Sequence, residues 1–259
     1  MKNNQLRGVA VTAAYLAGEE LLKRYFKYAR GDAKFKSYHE IVPKSDVAAE
    51  EIIITEIKKH FPDHRILSEE SGKISGNSDY LWVVDPLDGT HNFSMHNPLW
   101  AVSIALFNKE ELILGVVFAP VINELFLAEK DNGAWLNGKR MKVSSYKGER
   151  VINTFCHGSK VSDIKKALKY YNYQKLHNLD CRQLGSASLE LAYTACGRIE
   201  SIVVPGANSW DVAAGVLLVK ESGGKVTDFT NKAWNIKSND MAASNGPVHQ
   251  EILKTINKK

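Results

Sequence analysis

Directly behind an apolar run, Tyr80-Leu81-Trp82-Val83-Val84, the chain places two carboxylates, a glycine and a hydroxyl in the segment Asp85-Pro86-Leu87-Asp88-Gly89-Thr90. The apolar run reads as a buried strand. Pro86 disfavours the helical region for the residue before it, so Asp85 leaves that strand extended. Two carboxylates about 4 Å apart repel by about 4 kcal/mol at an effective dielectric near 20, and a divalent cation removes that repulsion. Oxygen donors with no cysteine or histidine in the run favour Mg²⁺, Mn²⁺ or Ca²⁺ over zinc. Gly89 takes positive φ without penalty and exposes its N–H to a ligand, while Thr90 adds a hydroxyl. Asp88-Gly89 alone would be an ordinary turn; the whole segment points to a place where charge is held.

Other acids stand at the ends of expected elements. Glu69-Glu70 follow a short strand, Arg65-Ile66-Leu67, where a solvated loop would also explain them. Asp211 falls in the first turn of a helix capped by Asn208-Ser209, where the helix dipole alone stabilises a carboxylate by roughly 0.3–1 kcal/mol. Asp46 stands at an expected helix start, and Thr90 could equally be a cap. Gly185-Ser186 precedes Leu189, Ala192, Tyr193 and Cys196, which makes a helix N-terminus able to receive an anion. No nucleophile elbow, zinc-helix motif, Walker loop or dinucleotide fingerprint occurs.

The elements that must position these groups follow from periodicity. Leu6, Val9, Ala10, Ala13, Ala14, Leu16, Ala17 and Leu21 predict a long amphipathic helix from Gln5 to about Tyr28. A second helix is expected from Ser45-Asp46, through Val47, Ile52, Ile53 and Ile57, to Phe61-Pro62. Residues 71–79 read as a loop. Strands are expected at 101–107, 112–118 and 124–128, with a hairpin at Asn137-Gly138. The second half alternates: strand 151–155, helices 162–171 and 186–196, strand 201–204, helix 209–222, strand 241–243, helix 248–256.

Composition sets the bounds. A chain of 259 residues, 44% hydrophobic and 24% charged, suits a globular protein with a sizeable core. The net charge of +5 comes from scattered lysines, which read as solvated surface and disfavour nucleic acid. The three cysteines, Cys156, Cys181 and Cys196, fit neither a disulfide framework nor a zinc cluster. With no long apolar segment and a polar start, a cytoplasmic protein without membrane contact is expected.

Taken together, Ser68-Glu69-Glu70-Ser71, then Trp82 through Phe93, then Trp210-Asp211-Val212-Ala213-Ala214-Gly215 resemble the three signatures of the inositol monophosphatase family, in the family's order. Gly185-Ser186-Ala187-Ser188 is similar to its substrate-side helix. The resemblance covers nearly the whole chain and implies an α+β fold, a five-layer αβαβα sandwich. It implies one domain over 1–259, with lobes of approximately 1–147 and 148–259. It further implies a phosphomonoesterase that needs Mg²⁺ or Mn²⁺, two or three ions per site, is inhibited by lithium and forms a homodimer.

Carried over residue by residue, Glu69, Asp85, the carbonyl of Leu87, Asp88 and Asp211 would hold metal, supported by Glu70. Asp46, Thr90 and Glu69 would activate and orient the attacking water, without a covalent phosphoenzyme. Gly89 and Thr90 would hold phosphate, and Gly185, Ser186, Ala187 and Val204 would face the substrate. Inositol 1-phosphate is the expected substrate, although Val204 stands where inositol-hydrolysing members carry a glutamate and His96 where a glycine is usual. Fructose 1,6-bisphosphate and 3′(2′),5′-bisphosphate nucleotides are the enzymatic alternatives. A partner- or RNA-binding protein on the same fold is the non-enzymatic one. Diphosphate chemistry on an all-helical Asp-x-x-Asp scaffold is disfavoured because this motif follows a strand.

Overall fold

The structure is a computed structural model that describes residues 2–27, 38–148 and 151–258. Helices α1 (Lys2–Lys27) and α2 (Tyr38–His60) form the first layer. The α1 side chains of Val9, Ala10, Ala13, Ala14, Ala17 and Leu21 are all buried, as their spacing requires, whereas Leu16 and, on α2, Val47 face outward. The expected end of α1 at Tyr28 lies outside the described residues. Helix α2 starts before Ser45-Asp46, so these two polar residues are interior to it. Both are buried, so their polarity marks an enclosed face of the helix rather than its start.

The second layer is an eight-stranded sheet in the order β2-β1-β3-β4-β5-β6-β7-β8. Its strands are β1 (Arg65–Ser68), β2 (Gly72–Ile74), β3 (Tyr80–Asp88), β4 (Ala101–Asn108), β5 (Glu111–Ala119), β6 (Glu124–Glu129), β7 (Gly133–Leu136) and β8 (Lys139–Arg140). Residues 71–79, expected as a loop, contain β2. It pairs antiparallel with β1, Ser68 opposite Gly72, so Glu69 and Glu70 lie on a hairpin turn. A short helix, α3 (Thr90–Ser94), follows β3.

The other half of the chain supplies β9 (Ile152–Phe155), α4 (Val161–Leu176), β10 (Asp180–Arg182), α5 (Ala187–Ala195), β11 (Ser201–Pro205), α6 (Ser209–Glu221), β12 (Lys225–Thr227), β13 (Asp240–Ser244) and α7 (His249–Asn257). Its strands form a five-stranded sheet, β10-β9-β11-β13-β12. The two short edge strands β10 and β12 carry no alternating pattern long enough to be read in sequence.

Helices α5 and α6 pack between the two sheets, while α4 and α7 cover the outer face of the second. The layers therefore run αβαβα, the sandwich that the resemblance implies. Each interface has its own apolar core. One joins α1, α2 and the first sheet through Ile53, Trp82 and Ile104. The central one unites both sheets around α5 and α6, and the third lies under α4 and α7. Close approach of α6 to the first sheet depends on Gly115, where an added Cβ would stand 2.6 Å from the Ala214 carbonyl oxygen. Among the described residues no helix is long and apolar enough to cross a membrane.

Candidate active site

Strand alternation would send Asp85 and Asp88, three positions apart, to opposite faces of the sheet. The pairing of β3 with β4 shows why it does not: Asp85 pairs with Ser103 and Asp88 with Ala101, so three steps on β3 match two on β4. The extra residue is a bulge that restores one face to both aspartates, and it absorbs Pro86, which cannot donate to a ladder. Asp85 then accepts the Leu87 N–H at 3.0 Å. Gly89 follows with φ of 92°, and the Thr90 hydroxyl donates to the Leu87 carbonyl at 3.1 Å.

The other acids reach the same place from separate elements. The Glu69 amide donates to the Val84 carbonyl at 3.2 Å, tying the β1–β2 turn to β3. The carboxyls of Glu69 and Asp85 lie within hydrogen-bonding reach of each other. Asp211, in the first turn of α6, accepts the Asn208 N–H at 3.2 Å, as its capping position predicts. Asp46 comes from the buried face of α2.

These groups feel one another. Burial, followed by repulsion from Glu69, Asp88 and Asp211, holds the Asp85 carboxyl well above the ordinary carboxylate range. Asp211 is pushed up to about 8 by burial and then by Asp88 and Glu69. Asp46 also rises to about 8, through burial and then Glu70, Glu69 and Glu50. Glu69 is raised by desolvation of its carboxyl, although the residue lies on an exposed turn. Among the described residues no lysine or arginine forms an ion pair with any of these acids. Asp46 Oδ1 is buried without a hydrogen-bond partner.

On the opposite wall, the N-terminus of α5 does receive an anion, but from within the chain. Asp88 accepts the Ser186 hydroxyl at 2.6 Å, the Ser188 hydroxyl at 2.5 Å, and the amides of Ser188 at 2.7 Å and Ala187 at 3.3 Å. These bonds oppose the rise that burial imposes on its carboxyl. Gly185, with φ of 85°, is exposed at the rim.

Val204 departs from its expected place facing a ligand. Its side chain, 2% exposed, belongs to the central core between the sheets, so its apolar character is explained by packing. The Thr90 hydroxyl donates its proton to Leu87, which leaves its oxygen as an acceptor.

Three contributors escaped the sequence. Asn92 donates to the carbonyls of Leu99 at 2.6 Å and Leu184 at 2.7 Å, joining the two walls. Glu50 and Glu190 are fully buried acids beneath the turns that carry Glu69 and Gly185. A signal existed for both: each stands four residues, one helical turn, after a residue already singled out, Asp46 and Ser186 respectively.

A family model described as the inositol monophosphatase family matches residues 2–259. The chain belongs to that family. It is 40% identical over 225 residues to a "Fructose-1,6-bisphosphatase/inositol-1-monophosphatase" from Thermotoga maritima, covering 87% of this chain and 86% of that protein. It is equally 40% identical, over 252 residues, to "Nus factor SuhB" of Escherichia coli, with 95% and 93% covered. A crystal structure of the extragenic suppressor protein suhB from Bartonella henselae superposes with a TM-score of 0.86 at 32% identity, covering 98% of this chain and all of that one. Members of the family are generally metal-dependent phosphatases, and the acidic cleft of this member fits a hard cation: every convergent donor is oxygen, the carboxylates repel, and no basic side chain of the described residues offsets them. The oxygens are neighbours rather than a closed cage, since among the described residues no three His, Cys, Asp or Glu groups already surround one point.

Proposed function

We propose that the protein hydrolyses a small phosphate monoester with the help of Mg²⁺ or Mn²⁺, inositol 1-phosphate being the first substrate to test. The observation that carries this reading is the meeting of Glu69, Asp85, Asp88 and Asp211, from three separate segments, in one cleft where burial holds all four carboxyls above the ordinary range and mutual repulsion adds to the rise at Glu69, Asp85 and Asp211. Glu69, Asp85, the Leu87 carbonyl, Asp88 and Asp211 would hold two or three ions, with Glu70 in support. Bound there, the ions would lower the pKa of a coordinated water toward neutrality and neutralise charge on the phosphoryl oxygens.

The chain's own residues supply orientation. Asp46, whose buried Oδ1 lacks a partner, is suited to accept a hydrogen bond from the attacking water. Thr90 and Glu69 fix the direction of attack. The amides of Gly89 and Thr90, at the positive-φ turn into α3, receive the phosphate. Gly185, exposed at the rim, would meet the leaving group, with Ser186 buried behind it and holding Asp88; Val204 has no part in it. The reading extends to a cytoplasmic homodimer inhibited by lithium.

A panel of inositol 1-phosphate, fructose 1,6-bisphosphate and adenosine 3′,5′-bisphosphate, with and without Mg²⁺, tests the proposal. Metal-dependent release of phosphate from one of them is the expected result. Failure with all three would remove it. The name of the Thermotoga maritima relative keeps fructose 1,6-bisphosphate beside inositol 1-phosphate. Relatives named as Nus factors favour a second reading, a partner- or RNA-binding role on the same scaffold. Salt-sensitive RNA binding without any turnover would favour that one.

A further inference from the structure

Glu50 is 2% exposed and lies one turn after Asp46 on α2, beneath the turn that carries Glu69 and Glu70. Its Oε1 accepts the amide of Glu70 at 3.2 Å and the amide of Ser71 at 3.1 Å. Its Oε2 accepts the Ser71 hydroxyl. On its other side the same turn is tied to β3 by the Glu69 amide and the Val84 carbonyl. The turn is thus suspended between a strand and a helix, with Glu50 providing the helix side. A carboxylate is an awkward choice electrostatically, because its charge opposes Asp46, Glu69 and Glu70. Burying it there makes physical sense when its hydrogen-bonding geometry matters more than its charge: one oxygen can accept two successive amides while the other takes a hydroxyl.

We infer that Glu50 is a positioning residue for the cleft: it clamps the amides of Glu70 and Ser71 to α2 and so sets where Glu69 presents its carboxylate relative to Asp46 and Asp85. The inference rests on the metal-holding role proposed above for Glu69. Nothing in the clamp touches substrate. Its loss therefore weakens the assembly of the metal site and leaves the chemical step, once the site is filled, largely as it was.

The test compares wild type, Glu50→Ala, Glu50→Gln and Ser71→Ala in three measurements: Mn²⁺ binding by loss of the free-ion electron paramagnetic resonance signal, metal-activation curves for phosphatase activity, and hydrogen exchange at the Glu70 and Ser71 amides. For Glu50→Ala the expected result is Mn²⁺ affinity weaker by about tenfold or more, kcat at saturating metal within about threefold of wild type, and exchange at both amides faster by about tenfold or more. Gln keeps an oxygen for both amides, and its amide group can donate to the Ser71 hydroxyl, so Glu50→Gln should stay within about threefold on every readout. Ser71→Ala removes one contact on an exposed turn and gives a smaller shift in the same direction. It decides the matter if Glu50→Ala fails to fold.

A purely structural role would lower the melting temperature of Glu50→Ala and leave the Mn²⁺ affinity of the folded protein unchanged, which overturns the inference. So would Glu50→Gln falling as far as Glu50→Ala, because charge rather than the clamp would then be at work. Absence of Mn²⁺ binding in wild type would instead remove the metal reading of the site. The amide exchange would still decide whether Glu50 holds the turn.

Discussion

The two walls of the cleft are built on the same device and differ in what surrounds it. On the first wall, Glu50 accepts two successive amides, Glu70 and Ser71, under the turn that presents Glu69. On the second, Glu190 accepts two successive amides, Leu184 and Gly185, both at 3.0 Å, under the turn that leads into α5. Both carboxylates are buried, and each ties the amides of a turn to its own helix. Glu50, however, stands among acids and has both oxygens engaged. Glu190 faces the Cys156 thiol at 3.2 Å and leaves Oε2 without a partner. The first wall thus gathers acids that repel one another. The second keeps a carboxyl whose burial, against hydrogen bonds from Thr154, Cys156 and the two amides, pushes it up to about 7.

The sharpest way to break this contrast is at Asp88, the one acid that belongs to both walls. It sits at the end of β3, yet its oxygens accept from Ser186, Ala187 and Ser188. Asp88→Asn retains one acceptor for the α5 amides but removes a charge from the acidic wall. In the proposed reading phosphatase activity falls by about 10³-fold or more, with the circular dichroism spectrum unchanged. Retained activity would mean that Asp88 serves only to cap α5 and that the two walls share no functional group.

The second wall offers a different break at Val204. Its side chain lies in the core between the sheets, on β11 opposite Met241 of β13. A Val204→Glu substitution, made to restore the glutamate usual in inositol-hydrolysing members, would bury an unpaired carboxylate. It should destabilise the protein by about 3 kcal/mol or more in urea unfolding without improving turnover of inositol 1-phosphate. A stable variant with higher turnover would show that position 204 looks into the cleft and that this wall is built to read the substrate.

The acids of the first wall were legible because they cluster in short motifs at element ends: the pair after Leu67, the Asp-Pro-Leu-Asp segment after Val84, and Asp211 behind its cap. The sandwich was legible only through the family resemblance of those motifs; among the elements, α1 carries a helical periodicity that its burial bears out, whereas β4 and α6 are buried on every side. What stayed hidden is what depends on pairing. A bulge between Asp85 and Asp88 exists only relative to β4. The capture of Asp88 by Ser186 and Ser188 joins residues about a hundred positions apart. Buried acids such as Glu50 and Glu190 look in sequence like surface charges on a helix, because only the opposing loop shows that they are enclosed. The same holds for Val204, whose neighbour across the sheet, not its own motif, decides which way it faces.

The finer difference between the walls is one of protonation, and it has a sign that can be measured. With its pKa at about 7 against an ordinary 4.5, Glu190 in the native state keeps a proton that the unfolded chain has already released. Its contribution to stability is therefore full below 4.5 and is lost as pH rises through about 7. His249 runs the other way. Burial, aided by Lys225, lowers it from 6.5 to about 4, between the Thr227 and Ser244 hydroxyls at 2.9 Å each. Its contribution is full above 6.5 and is lost as pH falls toward about 4. Each displacement corresponds to about 3 kcal/mol, and between 4.5 and 6.5 the two contributions have opposite signs, beside the slopes of Asp46 and Asp211, which are both raised to about 8. Glu190→Gln removes only one of them. Urea unfolding from about pH 4.5 to 8 should show the stability of the variant relative to wild type rising with pH by up to about 3 kcal/mol, because every other group contributes equally to both proteins. A difference independent of pH would mean that Glu190 is charged throughout. The second wall would then carry a fixed negative charge over a range in which the acids of the first still titrate, and the contrast between the walls would be reversed.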